Sequence, residues 1–312
     1  MQRVVIALGG NALLRRGEDD TAENMRRSAR LAAEQVADIA AAGWEVVVTH
    51  GNGPQVGRIL LQQEAAREWG VAPMPLDICG AESQGQIGYL LQVSVGDVFY
   101  ERGMERPVVT ILTLTRVHKD DPAFHRPTKP VGPHYQEDDA ERLRDQHGYA
   151  VAQGPDGGWR RVVPSPAPYS IVEAPVIRQL VANGVIVIAA GGGGIPVYED
   201  GPRLTGLEGV VDKDLAAAIL ARDVEASVLV ILTDVDGVYR DYGTDHAELL
   251  RELPAGEARS MLEAAAFGEG SMGPKVQAAV EFATSGGGRA VIASLDDATA
   301  ALTGEAGTTI TA

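Results

Sequence analysis

Three short apolar runs in this 312-residue chain end in glycine-rich loops, and segments with helical spacing lie between them. Apolar runs without polar alternation predict strands that are buried on both faces, and intervening helices predict parallel pairing of successive strands. The pattern therefore predicts an α/β fold, a three-layer αβα sandwich with a mainly parallel central sheet. The runs and their loops are 3–8 with 9–11, 45–49 with 50–53, and 185–190 with 191–194.

Local signals extend this alternation along most of the chain. Thr21 is suited to cap a helix that Gly43 ends, and Pro54 suits the first turn of a second helix. Periodicity predicts further helices over 81–101, 171–183, 214–222 and 274–285, and further strands over 108–115, 227–232 and 290–293.

One segment, residues 116–168, departs from the alternation, because prolines, glycines and short polar alternations replace the helical spacing. A structureless loop of this length is uncommon in a compact domain, so the segment predicts an inserted subdomain with hairpins of its own. We expect one domain over 1–312, with an N-terminal lobe over 1–184 that carries the insert and a C-terminal lobe over 185–312.

The charge and the cysteine content restrict the class of protein. A formal net charge of −16 argues against nucleic acid or an anionic membrane surface as a partner, because both attract positive charge. The single cysteine, Cys79, excludes an intramolecular disulfide. The apolar run at the N-terminus is too short for a signal peptide, and no run approaches the length of about 20 residues that a membrane span needs. We therefore expect a cytoplasmic protein.

Lysine is rare in this chain: four of the 27 basic residues are lysine and the others are arginine. A lysine ammonium is a compact point charge with three donors, which suits a phosphate oxygen. Lys213 and Lys275 each precede a predicted helix, where backbone N–H groups already favour anions. We interpret both as phosphate-binding residues, and Lys119, in a polar loop, as a surface residue.

The glycine loops support the same interpretation. In open α/β sheets, ligands lie at the carboxyl ends of the strands, and glycine lets backbone N–H groups approach a phosphate closely. A glycine turn after a strand is also common without any ligand. The chain contains neither a Walker A motif nor a Gly-x-Gly-x-x-Gly after its first strand, so loops from different strands would have to hold the phosphates.

Four aspartates beside these features are candidate site residues, and each has more than one interpretation. Asp212 and Asp214 flank Lys213, where they could separate the lysines, bind metal through water, or simply cap a helix. Asp234 and Asp236 follow a predicted strand, where they could line a ribose or base pocket or stabilise an Asp-Gly turn.

Taken together, the motifs resemble those of the carbamate kinase family, within the amino acid kinase superfamily, in order and from about residue 3 to 311. Many members of the superfamily have a lysine close to the first Gly-Gly, where this chain has Ala7. In the carbamate kinase branch a lysine of the insert, here Lys129, is thought to reach the active site instead. The matching segments are 7–13, 49–57, 127–133, 190–197, 211–214, 232–239 and 270–275.

The resemblance implies the amino acid kinase fold with the insert as a small lid, and a homodimer. It also implies reversible phosphoryl transfer between ATP and carbamate that gives ADP and carbamoyl phosphate, often toward ATP synthesis in arginine fermentation, with Mg²⁺ held mainly by the nucleotide. The N-terminal lobe would bind carbamate and the C-terminal lobe the nucleotide. The implied catalytic residues are Lys129, Lys213, Asp214 and Lys275; those for substrate and phosphate are Gly9, Gly10, Asn11, Gly51, Asn52, Gly53, Gly191 and Gly192; those for nucleotide are Asp212, Asp234, Asp236, Tyr239, Met272 and Gly273.

Two other functions remain open at this point. One is another small-molecule kinase of the superfamily, which the insert and the absence of a lysine at position 7 disfavour. The other is a nucleotide sensor without catalysis, which the presence of both Lys213 and Lys275 disfavours. Fold alone does not decide between them.

Overall fold

The structure, a computed structural model, describes residues 2–9, 17–154, 157–267, 271–286 and 288–312. Helices and strands alternate along most of this length. The helices are α1 Ala22–Ala41, α2 Gly53–Ala66, α3 Leu76–Glu101, α4 Glu137–His147, α5 Ala174–Ala182, α6 Lys213–Asp223, α7 Ala255–Glu263, α8 Met272–Thr284 and α9 Ala298–Thr303. The strands are β1 Arg3–Leu8, β2 Glu45–His50, β3 Val108–Thr110, β4 Leu114–Val117, β5 Lys129–Tyr135, β6 Val151–Gln153, β7 Trp159–Val163, β8 Pro168–Ile171, β9 Ile186–Ile188, β10 Ile195–Asp200, β11 Arg203–Gly206, β12 Val228–Thr233, β13 Tyr239–Arg240, β14 Glu248–Leu249, β15 Glu252–Pro254, β16 Arg289–Ser294 and β17 Thr308–Thr311.

An eight-stranded sheet forms the centre of the molecule, in the order β15-β17-β16-β12-β1-β2-β9-β3. Neighbouring strands pair in parallel except β16 and β17, which are antiparallel. The predicted mainly parallel sheet is confirmed. The sheet runs without interruption through both halves of the chain, because β1 pairs with β12, and β9 lies between β2 and β3.

Apolar side chains pack on both faces of this sheet. In β1, Val5 and Ala7 belong to one core cluster, while Val4, Ile6 and Leu8 belong to the other. Helices α5, α6, α7 and α8 cover the first face, and α1, α3 and α9 cover the second. Because successive residues of a strand point to opposite faces, one apolar strand supplies both cores, as a three-layer sandwich requires.

The insert forms a small subdomain with its own antiparallel sheet. Strands β5, β7 and β6 pair in that order, and β6 and β7 form the expected hairpin. Val131 and Val163 of this sheet pack against α2 and against Leu76 and Cys79 of α3. The insert therefore packs on the central domain through an apolar contact. The strands before and after the insert, β4 and β8, pair in a second sheet of order β11-β10-β4-β8.

Two local predictions were wrong. The strand predicted over 108–115 is two strands in different sheets, β3 and β4, because the backbone of Thr113 between them pairs with the side chain of Gln84. The helix predicted from residue 171 begins at Ala174, because Ile171 is the last residue of β8 and pairs with Thr115 of β4. The Thr21 cap and the early position of Pro54 in α2 are confirmed. No helix in the described ranges is long and apolar enough to span a membrane.

Candidate active site

A cavity of about 500 Å³ lies at the carboxyl ends of the central strands, where the parallel topology predicts a ligand site. The loop after β2, the starts of α2, α6 and α8, and strand β5 of the insert all contribute to its walls. Three helix N-termini therefore face one space, and their dipoles favour an anion there.

Asp214 joins the two lysines that the sequence singled out. Its Oδ1 accepts a hydrogen bond from Lys213 Nζ at 2.5 Å, and its Oδ2 accepts one from Lys275 Nζ at 3.3 Å. Lys275 Nζ also donates to the carbonyl oxygen of Ser271, at 3.2 Å. The Asp214 and Lys275 side chains are only 4% and 6% exposed, so the Lys275 ammonium is held in place rather than free in solvent.

Lys129 reaches the same cavity from the insert. Its Nζ donates to Asp212 Oδ2 at 2.7 Å, while Asp212 Oδ1 accepts from the backbone N–H groups of Asp214 and Leu215. Asp212 is thus both the N-cap of α6 and the ion-pair partner of Lys129. The predicted helix cap is confirmed for Asp212, and the same side chain also pairs with a lysine.

The glycine loops contribute unequally to the lining. Gly51, Asn52, Gly53 and Gly192 line the cavity. Gly191 lies against the buried ring of His50, where an added Cβ would come within 2.4 Å of the ring. A Cβ on Gly9 would lie 2.9 Å from the Leu232 carbonyl oxygen, so this glycine allows β1 to pass close to β12. Gly10 and Asn11 lie outside the described residues.

Buried polar groups hold the loop after β9 in an unusual conformation. Ala190 has a left-handed backbone with φ of 52°, which is costly for a residue with a Cβ. Thr49 Oγ1 donates to the Ala190 carbonyl oxygen, and the Ala190 N–H donates to Thr113 Oγ1, both at 2.9 Å. The loop that brings Gly192 to the cavity is therefore supported by β2 and by the segment between β3 and β4.

A second cavity, of about 580 Å³, adjoins the first, and Ser271 lines both. Three of the residues predicted for nucleotide binding, Asp234, Tyr239 and Met272, line it together with Tyr242, whose ring centroid is 5.7 Å from that of Tyr239. Asp236 accepts a hydrogen bond from the Tyr239 hydroxyl at 3.4 Å, and Gly273 follows Met272 in the first turn of α8. An aromatic, partly acidic cavity next to a cationic one has the arrangement that a nucleotide needs.

Comparison with known proteins agrees with this geometry. The family profile of the amino acid kinases matches residues 2–294. A carbamate kinase of Pyrococcus horikoshii is 50% identical over 99% of each chain, and one of Halobacterium salinarum is 51% identical over 99% of this chain and 98% of the relative. The chain belongs to the carbamate kinases of the amino acid kinase family. The solved structure of a carbamate kinase from Giardia lamblia bound to AMP-PNP is 42% identical, with a TM-score of 0.93 over 99% of this chain and 98% of that one.

Burial and neighbouring charges shift the pKa values of several groups at or beside the first cavity. Burial alone would raise the pKa of Asp212, but the Lys129 ammonium, the Asp214 N–H and the charge of Lys213 together outweigh burial and hold the pKa below its usual range. Burial lowers the pKa of Lys275, and Asp214 opposes this shift. Complete burial lowers the pKa of His50 to about 4, so its ring is neutral and donates from Nδ1 to the Gly51 carbonyl oxygen.

Several residues of the site carried no recognisable signal in the sequence. Arg160, on β7 of the insert, lines the first cavity and donates to the Gly132 carbonyl oxygen at 2.8 Å. Ser83 and Gln84 lie within the long helix α3, and their contacts with the site depend on how that helix packs. Only the serine before the Met-Gly-Pro-Lys motif, Ser271, could have been found from its position beside Lys275.

Proposed function

We propose that the protein is a carbamate kinase, which transfers the terminal phosphoryl group of ATP to an oxygen of carbamate. The observation that carries the proposal is the pair of lysine ammonium groups on the two oxygens of Asp214, in a cavity that joins a nucleotide-sized cavity at Ser271. Phosphoryl transfer asks the protein mainly for positioning and for neutralisation of charge.

The bonds of the reaction balance without a protein base. A carboxylate oxygen of carbamate forms a bond to the γ-phosphorus as the bond from that phosphorus to the β,γ-bridging oxygen breaks, which gives carbamoyl phosphate and ADP. Carbamate is already an anion, so no proton has to leave the nucleophile. In the reverse direction a β-phosphate oxygen of ADP attacks carbamoyl phosphate and carbamate leaves.

The side chains have separate roles in this proposal. Lys213 and Lys275 neutralise charge on the β- and γ-phosphates, and Asp214 fixes the distance between them. Lys129 adds a third charge from the insert. The N–H groups of Gly51, Gly53 and Gly192, which line the first cavity, hold the small acceptor or the transferring group, and the second cavity binds the nucleoside. We assign the same role to Gly9, Gly10, Asn11 and Gly191 from their motifs alone.

A magnesium ion fits this site as a companion of the nucleotide. Asp212 and Asp214, the two carboxylates of the first cavity, both accept from lysines, and the described residues contain no group of three or more His, Cys, Asp or Glu side chains that could hold a metal. Phosphate oxygens would supply the ligands that Mg²⁺ prefers. When bound, the ion would neutralise negative charge on the nucleotide phosphates.

The remaining proposals concern the setting of the enzyme. We propose a homodimer in the cytoplasm, with carbamate bound mainly by residues 1–184 and nucleotide mainly by residues 185–312. The exposed apolar side chains of α3, among them Tyr89, Val93 and Tyr100, are compatible with a partner surface. Light scattering of the purified protein measures the mass that decides between monomer and dimer.

The decisive experiment measures ATP formation from ADP and carbamoyl phosphate with Mg²⁺. Forward assays with acetylglutamate, aspartate, glutamate and UMP as phosphoryl acceptors run beside it. We expect turnover with carbamoyl phosphate alone, because a pocket floored by glycine N–H groups fits a very small planar anion. Comparable efficiency with any of the other acceptors would overturn the proposal.

A further inference from the structure

The side chain of Asn52 is held in one orientation by a chain of hydrogen bonds from α3. Ser83 Oγ lies 2.6 Å from the Gly80 carbonyl oxygen and 2.8 Å from Asn52 Nδ2. A carbonyl oxygen only accepts, so the single hydroxyl proton of Ser83 is donated to Gly80. Ser83 Oγ can then only accept, and the Asn52 group that faces it must be the N–H₂ end of the amide.

Close packing keeps the amide in this position. Ser83 is fully buried, and the Asn52 amide lies against Gly192, where an added Cβ would come within 2.1 Å of Nδ2 and 2.7 Å of Oδ1. Gly192 has φ of 65°, so glycine is favoured there by its backbone as well as by the contact. The amide is enclosed between Ser83 and Gly192 and has little room to turn over.

This orientation leaves the carbonyl end of Asn52 for the cavity. Asn52 lines the first cavity, its Nδ2 is engaged with Ser83, and Oδ1 accepts no hydrogen bond from any described residue. The sequence motif assigns Asn52 to substrate or phosphate, and the structure presents a hydrogen-bond acceptor there. A phosphate oxygen cannot donate a hydrogen bond to this acceptor, whereas a substrate that carries an N–H group can.

We propose that Asn52 Oδ1 accepts a hydrogen bond from the amino group of carbamate or carbamoyl phosphate, and that Ser83 is the positioning residue that orients it. This inference rests on the proposed function. Carbamate differs from acetate by an N–H₂ group in place of a methyl group, so one well-placed acceptor distinguishes the two. A site that hydrogen-bonds a substrate N–H discriminates against the analogue without it, because the acceptor is then left unpaired.

The test compares carbamoyl phosphate with acetyl phosphate as phosphoryl donors to ADP, using kcat/KM for each. The Asn52→Ala variant should lower kcat/KM for carbamoyl phosphate by about 10-fold to 100-fold, as expected for a lost hydrogen bond in an enclosed site, and change the value for acetyl phosphate by less than about threefold. Lys129→Met is the matched control. It should lower both values by the same factor, because the phosphoryl group is common to both donors.

Ser83→Ala tests the positioning role. It should shift the ratio of the two kcat/KM values in the same direction as Asn52→Ala, with an unchanged KM for ADP, and the double variant should match Asn52→Ala alone, because Ser83 acts only through Asn52. Should Ser83→Ala fail to fold, the ratio of the kcat/KM values for carbamoyl phosphate and acetyl phosphate in Asn52→Ala still tests whether Asn52 binds the amino group. Equal losses for both donors in Asn52→Ala, or additive effects of the two substitutions, would overturn the inference. If the unaltered protein does not turn over carbamoyl phosphate at all, the proposed function itself fails.

Discussion

At the scale of single residues, the shape of a cation matters as much as its charge. Lys213 and Lys275 each place one ammonium group on Asp214, and Lys275 is almost entirely buried. We expect Lys213→Arg and Lys275→Arg to lower kcat by about 10²-fold or more, because a wide planar guanidinium cannot occupy the same point between oxygens. Initial rates of ATP formation measure the effect, and the exposed Lys119→Arg is the control. Retention of more than about half of the kcat by both variants would contradict this account.

His50 makes the stability depend on pH. Its pKa is about 4 in the folded protein, whereas an ordinary histidine, as in the unfolded chain, has a pKa of 6.5. Between these values the unfolded chain binds a proton that the folded protein does not, so the free energy of unfolding falls as the pH is lowered from 6.5 to 4. The loss from this residue is about 3 kcal/mol when complete. Urea unfolding at several pH values should show a smaller slope across this range in His50→Gln, whereas parallel curves would exclude His50 as the cause.

At the scale of elements, the insert takes part in the site through one strand. β5 brings Lys129 to Asp212 at the N-terminus of α6, while Val131 of the same strand anchors it to the central domain. We expect Lys129→Met to lower kcat substantially and to leave the KM for ADP within about twofold, since a donor aimed at the transferring group acts mainly in the transition state. Lys119→Met should change neither value.

Hydrogen exchange adds a structural measurement to the same variant. The ion pair with Asp212 links the insert to α6, so amides of 129–135 should exchange faster in Lys129→Met than in the unaltered protein, both without ligand. Nucleotide and carbamoyl phosphate should slow exchange in this segment only when Lys129 is present. Equal kinetics and equal exchange in variant and unaltered protein would show that Lys129 is a surface residue.

At the scale of the whole molecule, the continuous sheet predicts one cooperative unit. Phe99 on α3 and Phe282 on α8 are both fully buried, on opposite faces of the sheet and in different halves of the chain. Because β1 pairs with β12, weakening either core should lower the stability of both halves of the chain. Phe99→Ala and Phe282→Ala should each destabilise the same single unfolding transition by about 3–5 kcal/mol, additively. Two transitions, each shifted by only one substitution, would show that the lobes unfold independently.

Much of the fold could be predicted because it depends on patterns that are local in the chain. Uninterrupted apolar runs predict strands buried on both faces, and β1 does supply both cores. Cap and breaker residues marked the start of α1 and the first turn of α2 for the same reason. The split between β3 and β4 was missed because it depends on Gln84, 29 residues away from Thr113, which replaces a strand partner with a side-chain amide.

The candidate site likewise has features that depend on local sequence and features that depend on contacts between distant segments. The sequence by itself determined the kinds of group available, rare lysines at helix starts and glycines after strands, because a short motif specifies its own backbone and charge. Only the tertiary structure decided which of these groups meet: Asp214 between two lysines, Lys129 on Asp212 across 83 residues, and Asn52 oriented by Ser83. Contacts between distant segments depend on strand order and helix packing, which neighbouring residues do not specify. The direction of a hydrogen bond depends on whether the hydroxyl of its partner already donates to another group, which also requires the tertiary structure.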